Sequence, residues 1–482
     1  MGRTALIKEI FLDKSIEEFY QCIVELPYCF LLDSGLATGG GRYSFMGADP
    51  FAVIHSKAGK TTLAQSFGSR LVNISVQQDN PLDVMADIFN SFPPLEVEEK
   101  IPFSGGGVGF FSYDLGRQLE RMPELAADDL NTPDLIFGLF DVILVVDQLE
   151  NRKYIVSTGY PEKLEKNATN RAMLRSEWLQ GQLAKSPGLK KSRGNNSPVK
   201  VQANFNRQSY IKNVGQAIEH ILSGDIFQVN LSQRFTMESE ISGWQLYKDL
   251  KRISPAPFAA YLNFGDIEVI SSSPERFLRV EQYGGVETCP IKGTRPRASN
   301  PAEDLSNYKQ LLESQKDRAE LTMIVDLARS DLGRVCRPGT IRAELPYCIE
   351  PFPTVFHLVA TVKGSLIPGK NIFDLLKASF PGGSITGAPK IKAMEIIECL
   401  EPVRRGIYTG SLGYIGFDGR ADLNIVIRTI IKVGGKYYFQ VGGGITAKSN
   451  PEDEYNETLD KARALLRALK FEGSIYDGPY VY

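Results

Sequence analysis

The sequence predicts an α+β fold, and three observations carry that prediction. Strand-like runs come in adjacent pairs joined by glycine-rich turns, as in YIGFDGRADLNIVI and IIKVGGKYYFQV, a pattern of antiparallel pairing. Helical patterns are interspersed with those pairs and do not follow every strand, which argues against a doubly wound parallel sheet. At 482 residues the chain exceeds the usual span of one core, so several domains or one large composite unit is expected.

Along the chain, residues 1–183 hold the apolar runs YCFLLDS and DLIFGLFDVILVVD with short helical patterns, and no reactive constellation. The stretch AKSPGLKKSRGNNSPVK, Ala184 to Lys200, packs Lys, Gly, Pro, Ser and Asn without hydrophobic periodicity, the composition of an exposed connector. A linker at 184–203 is therefore expected between an N-terminal portion, 1–183, and a C-terminal portion, 204–482. In the latter a helix is predicted around 207–223, strands through 226–236 and 258–296, a helix over 302–331 and another around 389–399. Strands follow at 406–417, 422–432 and 436–446, and a last helix at 451–470.

Composition narrows the function classes. Lys and Arg number 55 against 57 Asp and Glu, a net charge of −2 that recruits neither nucleic acid nor anionic membrane. The N-terminus lacks the apolar core of a secretory signal. The longest apolar run, Leu135 to Val146, is about half a membrane span and contains Asp141, so a soluble protein is expected. Six cysteines, at 22, 29, 289, 336, 348 and 399, form no C-x-x-C pair and read as reduced thiols of a cytoplasmic protein.

Several side chains sit where packing alone does not explain them. On the helix predicted at 302–331, Asp317 and Glu320 head an apolar stripe of Leu321, Ile324, Leu327 and Ala328, so a cation or a hydrogen-bond donor must meet them. An arginine would do so as a salt bridge. The last helix opens with Asn450-Pro451, a cap followed by proline at the first helical position, and carries Glu454, Glu457 and Lys461 as a ridge. Glu457 and Lys461 read as an exposed i, i+4 pair; taken with the other helix, the carboxylates could instead hold a hard cation such as Mg²⁺.

Gly442, Gly443 and Gly444 end a strand, either for close approach of backbone N–H groups to an anion or as a bulge. FPGGSITGAPKIKAMEII has Ala388-Pro389 where a phosphate loop has Gly-Lys-Ser/Thr. It can present the hydroxyls of Ser384 and Thr386, with a helix N-terminus starting at Pro389, to a carboxylate. His357 lies among apolar and β-branched residues, where a core imidazole is the default. No serine elbow or His/Cys metal cluster appears, which removes support from hydrolase and zinc chemistry.

Together the segments SSSPERF, PIKGTRPR, DRAELTMIVDLARSDLGRV, FHLVATVKG, FPGGSITGAPKIKAMEIIE, GSLGYIGFDGRADLNIVIRT, QVGGGI and EDEYNETLDKARAL resemble the chorismate-utilising enzymes. They cover most of residues 205–470 in order. The resemblance implies two antiparallel β-sheets packed orthogonally with helices outside, and a chorismate site in the cleft between them. Within the family, PIKGT resembles component I of aminodeoxychorismate synthase, whereas anthranilate synthase subunits usually have PIAGT. DIFQVNLSQRF also looks like the former subfamily; the water-adding isochorismate synthases carry a base lysine in this strand, where Gln228 and Asn230 stand here.

The resemblance assigns roles residue by residue. Lys292 matches the nucleophile that attacks chorismate, Glu275 the acid that protonates the departing hydroxyl, and His357 a position near the reacting ring. Glu320 and Glu457 match the principal Mg²⁺ ligands, with Asp317 and Glu454 close by. Tyr414, Arg428 and Gly442, Gly443 and Gly444 match groups that hold the enolpyruvyl carboxylate, and Thr386 and Lys461 further substrate positions. Arg329-Ser330-Asp331 and Phe356-His357 depart from the usual Arg-Asn-Asp and His-His. No glutaminase motif occurs in the chain, so the family implies ammonia from solution or from a separate glutamine amidotransferase subunit. LLDSG and SPAPFAAYLNF resemble the two segments that bind tryptophan in relatives, placing Ser34 at such a site, with Asp33 where Glu is commoner. Anthranilate synthase component I and a catalytically silent chorismate-binding subunit are the alternatives.

Overall fold

The computed structural model describes residues 2–35, 41–67, 70–77, 79–96, 100–186, 201–344 and 347–471. Two large antiparallel sheets dominate it. The first has twelve strands, running from Leu6–Glu9 through Arg152–Ser157, Val142–Asp147, Tyr43–Gly47, Cys29–Asp33, Phe258–Asn263, Ile267–Ser273, Thr429–Val433 and Lys436–Ile445 to Gln228–Glu238. That last strand is flanked by Val201–Ala203 and by the short Gly387–Ala388. The second has eleven: Arg342–Ala343, Val362–Ser365, Gly285–Cys289, Arg276–Val280, Ala421–Ile425, Ser411–Gly416, Gly106–Phe111, Leu135–Phe140, Ala52–Lys57, Lys60–Phe67 and Arg70–Gln77. A three-stranded sheet joins Ile291–Pro296, Val355–Val359 and Cys348–Pro351.

An apolar layer drawn from both large sheets, including Phe30, Phe45, Phe110, Ile136, Val145 and Val269, lies at their interface. Its stability comes from taking this surface out of water, about 25 cal/mol per Å². Both sheets take strands from either side of residues 187–200: Cys29–Asp33 pairs with Phe258–Asn263, and Gly106–Phe111 with Ser411–Gly416. Of the expected linker, Ala184 closes the helix Glu165–Ala184 and residues 201–203 form a strand, while 187–200 lie outside the described residues.

The chain passes between the sheets at two sharp corners. Ile267–Ser273 belongs to the first sheet and Arg276–Val280 to the second, with only Pro274 and Glu275 between. The strand expected over 422–432 is likewise two strands, Ala421–Ile425 in the second sheet and Thr429–Val433 in the first. Its break falls at residues 426–428, where Arg428 takes a φ of 49°, a left-handed conformation that interrupts the pleat. Strands that switch sheets make the corners of crossed sheet packings.

Other boundaries differ from expectation for local reasons. The helix expected over 302–331 is two, Pro301–Glu313 and Gln315–Gly333, because Ser314 leaves helical geometry and caps the second through its hydroxyl, which accepts from the Asp317 amide. The strand expected at 406–417 begins only at Ser411, after a turn with Thr409 at φ 59°. Pro389 stands at the cap of Lys390–Leu400, one residue before the first helical position. The last helix, Pro451–Ala468, starts as expected: the Asn450 side chain accepts from the Glu452 and Asp453 amides. All six cysteines are free thiols. Among the described residues no helix is long and apolar enough to cross a membrane.

Candidate active site

The corner at Pro274-Glu275 holds its carboxyl inside the protein. Glu275 is only 4% exposed; its amide donates to the Ser273 hydroxyl at 3.3 Å and its carbonyl accepts from the Ile425 amide at 3.0 Å. Burial raises the carboxyl to about pKa 7, against the opposing pull of a hydrogen bond from the Ser384 hydroxyl, the nearby Lys292 cation and the Ile291 amide. An acid so placed carries a proton at neutral pH and can release it within the working range.

Lys292 lies on the strand Ile291–Pro296, opposite Leu358. The register slips between Lys292 and Thr294, where Gly293 adopts a φ of 74°. A Cβ at Gly293 would come within 2.9 Å of Asp317, so glycine serves both the turn and the close approach of the helix Gln315–Gly333. The Lys292 Nζ donates to the Ser384 carbonyl at 3.0 Å. Burial lowers its pKa, with Glu275, Glu320 and Glu457 opposing and Lys461 assisting. Ser384 thus joins the two groups, its hydroxyl to Glu275 and its carbonyl to Lys292.

Carboxylates from two helices face this lysine. Burial raises the Glu320 pKa, and Asp317 and Glu457 reinforce the rise against Lys292 and Lys316. Glu454, buried, accepts from the Ser449 hydroxyl at 2.6 Å, and burial with the neighbouring Glu457 raises it too. For Glu457 burial also pushes upward, but Lys461, Lys316 and Lys292 together hold it below its ordinary value. Lys461 bonds Glu457 at 2.7 Å and the Gly442 carbonyl at 2.7 Å. Asp317 is met by Arg295 at 2.9 Å, the salt-bridge reading, whereas Lys316 approaches Glu320 only to 3.9 Å. Among the described residues no three His, Cys, Asp or Glu side chains close around a metal position unaided.

The three glycines make no bulge: their strand, Lys436–Ile445, pairs without a slip along Gln228–Glu238. What they supply is room. A Cβ at Gly443 would stand 2.9 Å from a Glu454 carboxylate oxygen and 3.5 Å from one of Glu457. One at Gly444 would collide with the Gln228 amide at 2.2 Å and stand 3.7 Å from the Lys292 Nζ.

His357 is buried, pairs through Nδ1 with the Thr294 hydroxyl at 2.9 Å, and leaves Nε2 without a partner. Burial, with Arg428 adding repulsion and a bond to the Gly293 backbone opposing, lowers its pKa to about 3, so the ring is neutral. Arg428 itself has its pKa lowered by burial, and among the described residues no carboxylate forms an ion pair with it. A guanidinium held at a strained corner without its own counter-ion is a ready anion site.

Three expected residues stand differently. Thr386 is fully buried and turns its hydroxyl back onto the Gly382 carbonyl at 2.9 Å, so it does not present that group to a ligand. Ser384 does meet a carboxyl, but that of Glu275. Tyr414 is not brought to the Lys292 cluster: its ring stacks on Phe103 at 4.5 Å, and its neighbouring charges are Asp422, Arg420, Arg279 and Asp418. It lines a second cavity of about 280 Å³ with Ser34, Tyr43, Phe45, Pro257 and Phe258. The motif spacing missed this because strand alternation and the sheet's two faces, not sequence proximity to Arg428, decide where that ring points. Asp33, beside Ser34, is consumed by Ser44, Tyr247 and Lys251. Gln228, a residue the sequence placed near the site without a role, keeps a buried Oε1 with no partner.

A half-buried amine, a protonatable carboxyl, an acidic pair of helices and an arginine without a carboxylate partner among the described residues thus stand together at the corners of two crossed antiparallel sheets. Residues 28–467 match the model of the chorismate binding enzymes, and the chain belongs to that family. It is 40% identical over 461 residues, 94% of this chain and 96% of its relative, to aminodeoxychorismate synthase component 1 of Salmonella typhimurium. It is 39% identical over 464 residues, 94% of this chain and 92% of the relative, to anthranilate synthase component 1 of Acetivibrio thermocellus. Among solved structures, anthranilate synthase component I from Streptococcus pneumoniae superposes with a TM-score of 0.76 at 30% identity, covering 89% of this chain and 93% of that one. The α+β fold expected from the sequence is thereby borne out.

Proposed function

We propose that this chain is the synthase subunit of aminodeoxychorismate synthase, converting chorismate and ammonia to 4-amino-4-deoxychorismate. The observation that carries the reading is the Lys292 amine, depressed by burial, 3.0 Å from the Ser384 carbonyl and beside a Glu275 that holds its proton to about pH 7. A neutral amine can attack carbon, and a nearby acid can protonate what leaves.

The steps balance as two conjugate displacements, each relayed through the two double bonds of the ring diene. The Lys292 amine bonds to C2, both double bonds of the ring diene shift by one position through C1, C6 and C5, and the C4–O bond breaks as the hydroxyl takes the Glu275 proton and departs as water. Ammonia then bonds to C4, both double bonds shift back, and the C2–N bond breaks to release Lys292 as a neutral amine. The proton shed by the new C4 ammonium returns to the Glu275 carboxylate. Arg428 and the backbone of Gly442, Gly443 and Gly444 hold the enolpyruvyl carboxylate, and Lys461 fixes both that backbone and Glu457. Neutral His357 offers its free Nε2 near the ring.

Magnesium suits this donor set. Glu320 and Glu454 have raised pKa values from burial and like-charged neighbours, a repulsion that a hard cation relieves, and oxygen donors with room for water match Mg²⁺. Glu320 and Glu457 are the proposed principal ligands, with Glu454 beside them and Asp317 held back by Arg295. Held there, Mg²⁺ would supply electrostatic stabilisation to a substrate carboxylate and to charge developing in the diene. A separate glutamine amidotransferase supplies ammonia in this reading.

The test is mass-resolved product analysis of the purified chain with chorismate, a magnesium salt and an ammonium salt at mildly alkaline pH. A product that keeps the enolpyruvyl group and exchanges hydroxyl for amine supports the reading. Anthranilate, the product in the name of the 39% identical relative, would overturn it.

A further inference from the structure

Beside the loop that carries Ser384 lies a buried ion pair that the roles above leave unused. Arg405 and Glu401 are joined by two bonds of 2.7 and 2.9 Å, and their side chains are only 1% and 2% exposed. Taking both charges out of water is costly, and an apolar pair of similar volume often holds a core as well. What an apolar pair cannot do is donate to backbone carbonyls, and Arg405 does so twice. Its Nη1 donates to the Ile385 carbonyl at 2.9 Å and its Nη2 to the Asn230 carbonyl at 2.7 Å.

Both carbonyls belong to segments that build the site. Ile385 ends the turn Gly383–Ile385, one peptide after the Ser384 carbonyl that accepts from Lys292. Asn230 lies on the strand Gln228–Glu238, opposite Gly444. On its other edge that strand is paired by Gly387–Ala388 at Gln228 and Val229, and by Val201–Ala203 at Phe235, Thr236 and Met237. Among the described residues no strand covers the stretch between, and the ion pair stands in for one. Arg405 meets the Asn230 carbonyl, while Glu401 accepts from the Ser232 amide at 2.9 Å and from its hydroxyl at 2.7 Å. The same guanidinium then reaches across to the turn that holds Ser384.

We propose that Arg405, oriented by Glu401, is a positioning residue: it fixes the turn Gly383–Ile385 against the strand so that Ser384 keeps its hydroxyl on Glu275 and its carbonyl on the Lys292 amine. The inference rests on the roles proposed above for Glu275 and Lys292. Arg405 acts through Ser384, so its loss slows the chemical step more than it weakens the hold on chorismate.

The experiment measures kcat, KM for chorismate and the pH profile of kcat/KM in the unaltered chain, Arg405→Lys, Ser384→Ala and their combination, following chorismate consumption and identifying the product by mass. Lysine keeps a cation beside Glu401 but has no fork to reach both carbonyls. Arg405→Lys is expected to lower kcat about tenfold, with KM for chorismate within about twofold. It is also expected to move the alkaline limb upward, because a Ser384 hydroxyl that leaves Glu275 withdraws a donor from its ionised form. The combined variant is expected to show the limb of Ser384→Ala alone, since the hydroxyl through which Arg405 acts is already gone. If Arg405→Lys does not fold, Glu401→Gln with Arg405→Met, which leaves no buried charge unpaired, is read in the same way. An alkaline limb that stays in its parental place, or limb shifts that add in full in the combined variant, overturns the positioning role and makes the pair part of the scaffold. Anthranilate as the product of the unaltered chain would sink the amination reading instead, a distinguishable result.

Discussion

Ser384→Ala isolates one hydrogen bond at the centre of the site. The substitution deletes the hydroxyl that donates to Glu275 but keeps the carbonyl that accepts from Lys292 at 3.0 Å, so the nucleophile's own contact persists. A hydrogen bond to an ionised carboxyl is worth about 1.5–3 kcal/mol. At about 1.4 kcal/mol per pH unit the upper part of that range would move a pKa by two units. The Ile291 amide and Lys292 remain as stabilisers of the carboxylate, so a rise of about one unit is expected. The sign is fixed: losing a donor to the charged form favours the protonated form. Because the proposed step needs Glu275 protonated, activity should fall on the alkaline side with a midpoint near pH 7 in the parent chain and near pH 8 in the variant. The assay is the pH profile of kcat/KM for chorismate, which reports groups of the free enzyme. An alkaline limb that stays in place or moves downward would refute the role of Ser384 and weaken that of Glu275.

Three further outcomes follow from the same groups. Glu275 holds its proton more tightly folded, near 7, than at its ordinary 4.5, so its contribution to stability is full below about pH 4.5 and is lost as pH rises through 7. Glu275→Gln should therefore gain on the parent in urea unfolding between pH 5 and 8, approaching about 3 kcal/mol; a constant difference across that range would contradict the burial argument. Glu320→Gln should raise the Mg²⁺ concentration for half-maximal activity at least tenfold, and an unchanged requirement would remove Glu320 from the ligand set. For the second cavity, calorimetric titration with tryptophan should show one site, lost in Ser34→Leu because the larger side chain fills the space beside Tyr43 and Phe258; no heat in the parent chain would withdraw tryptophan from the account.

Much of the fold was legible where local chemistry and tertiary demand agree. The Asn450-Pro451 cap, the paired strands around Gly434 and the antiparallel character all follow from sequence, since each depends on a few neighbouring residues. The break at Ser314 was not anticipated, because the apolar stripe continues across it and only the serine's capping bond betrays the end of one helix. The helix Gly243–Ile253 also escaped notice, despite a serine cap and five buried residues on one side. Corners are harder still. Arg428 and Glu275 owe their positions to strands that leave one sheet for the other, a fact of long-range packing that no periodicity encodes. The same limit misplaced Tyr414, which shares a motif with Arg428 but a cavity with Ser34.

The central claim, that the Lys292 amine is the nucleophile, is tested most directly by intact-protein mass spectrometry of the chain mixed with chorismate and Mg²⁺ in the absence of ammonia, quenched at early times and mapped by proteolysis. The account predicts an adduct equal to chorismate less one water on the peptide containing Lys292, absent in Lys292→Ala, whose amination rate falls at least a hundredfold, toward the loss expected when covalent catalysis is removed. No adduct in the parent chain, together with undiminished amination by Lys292→Ala, would contradict it.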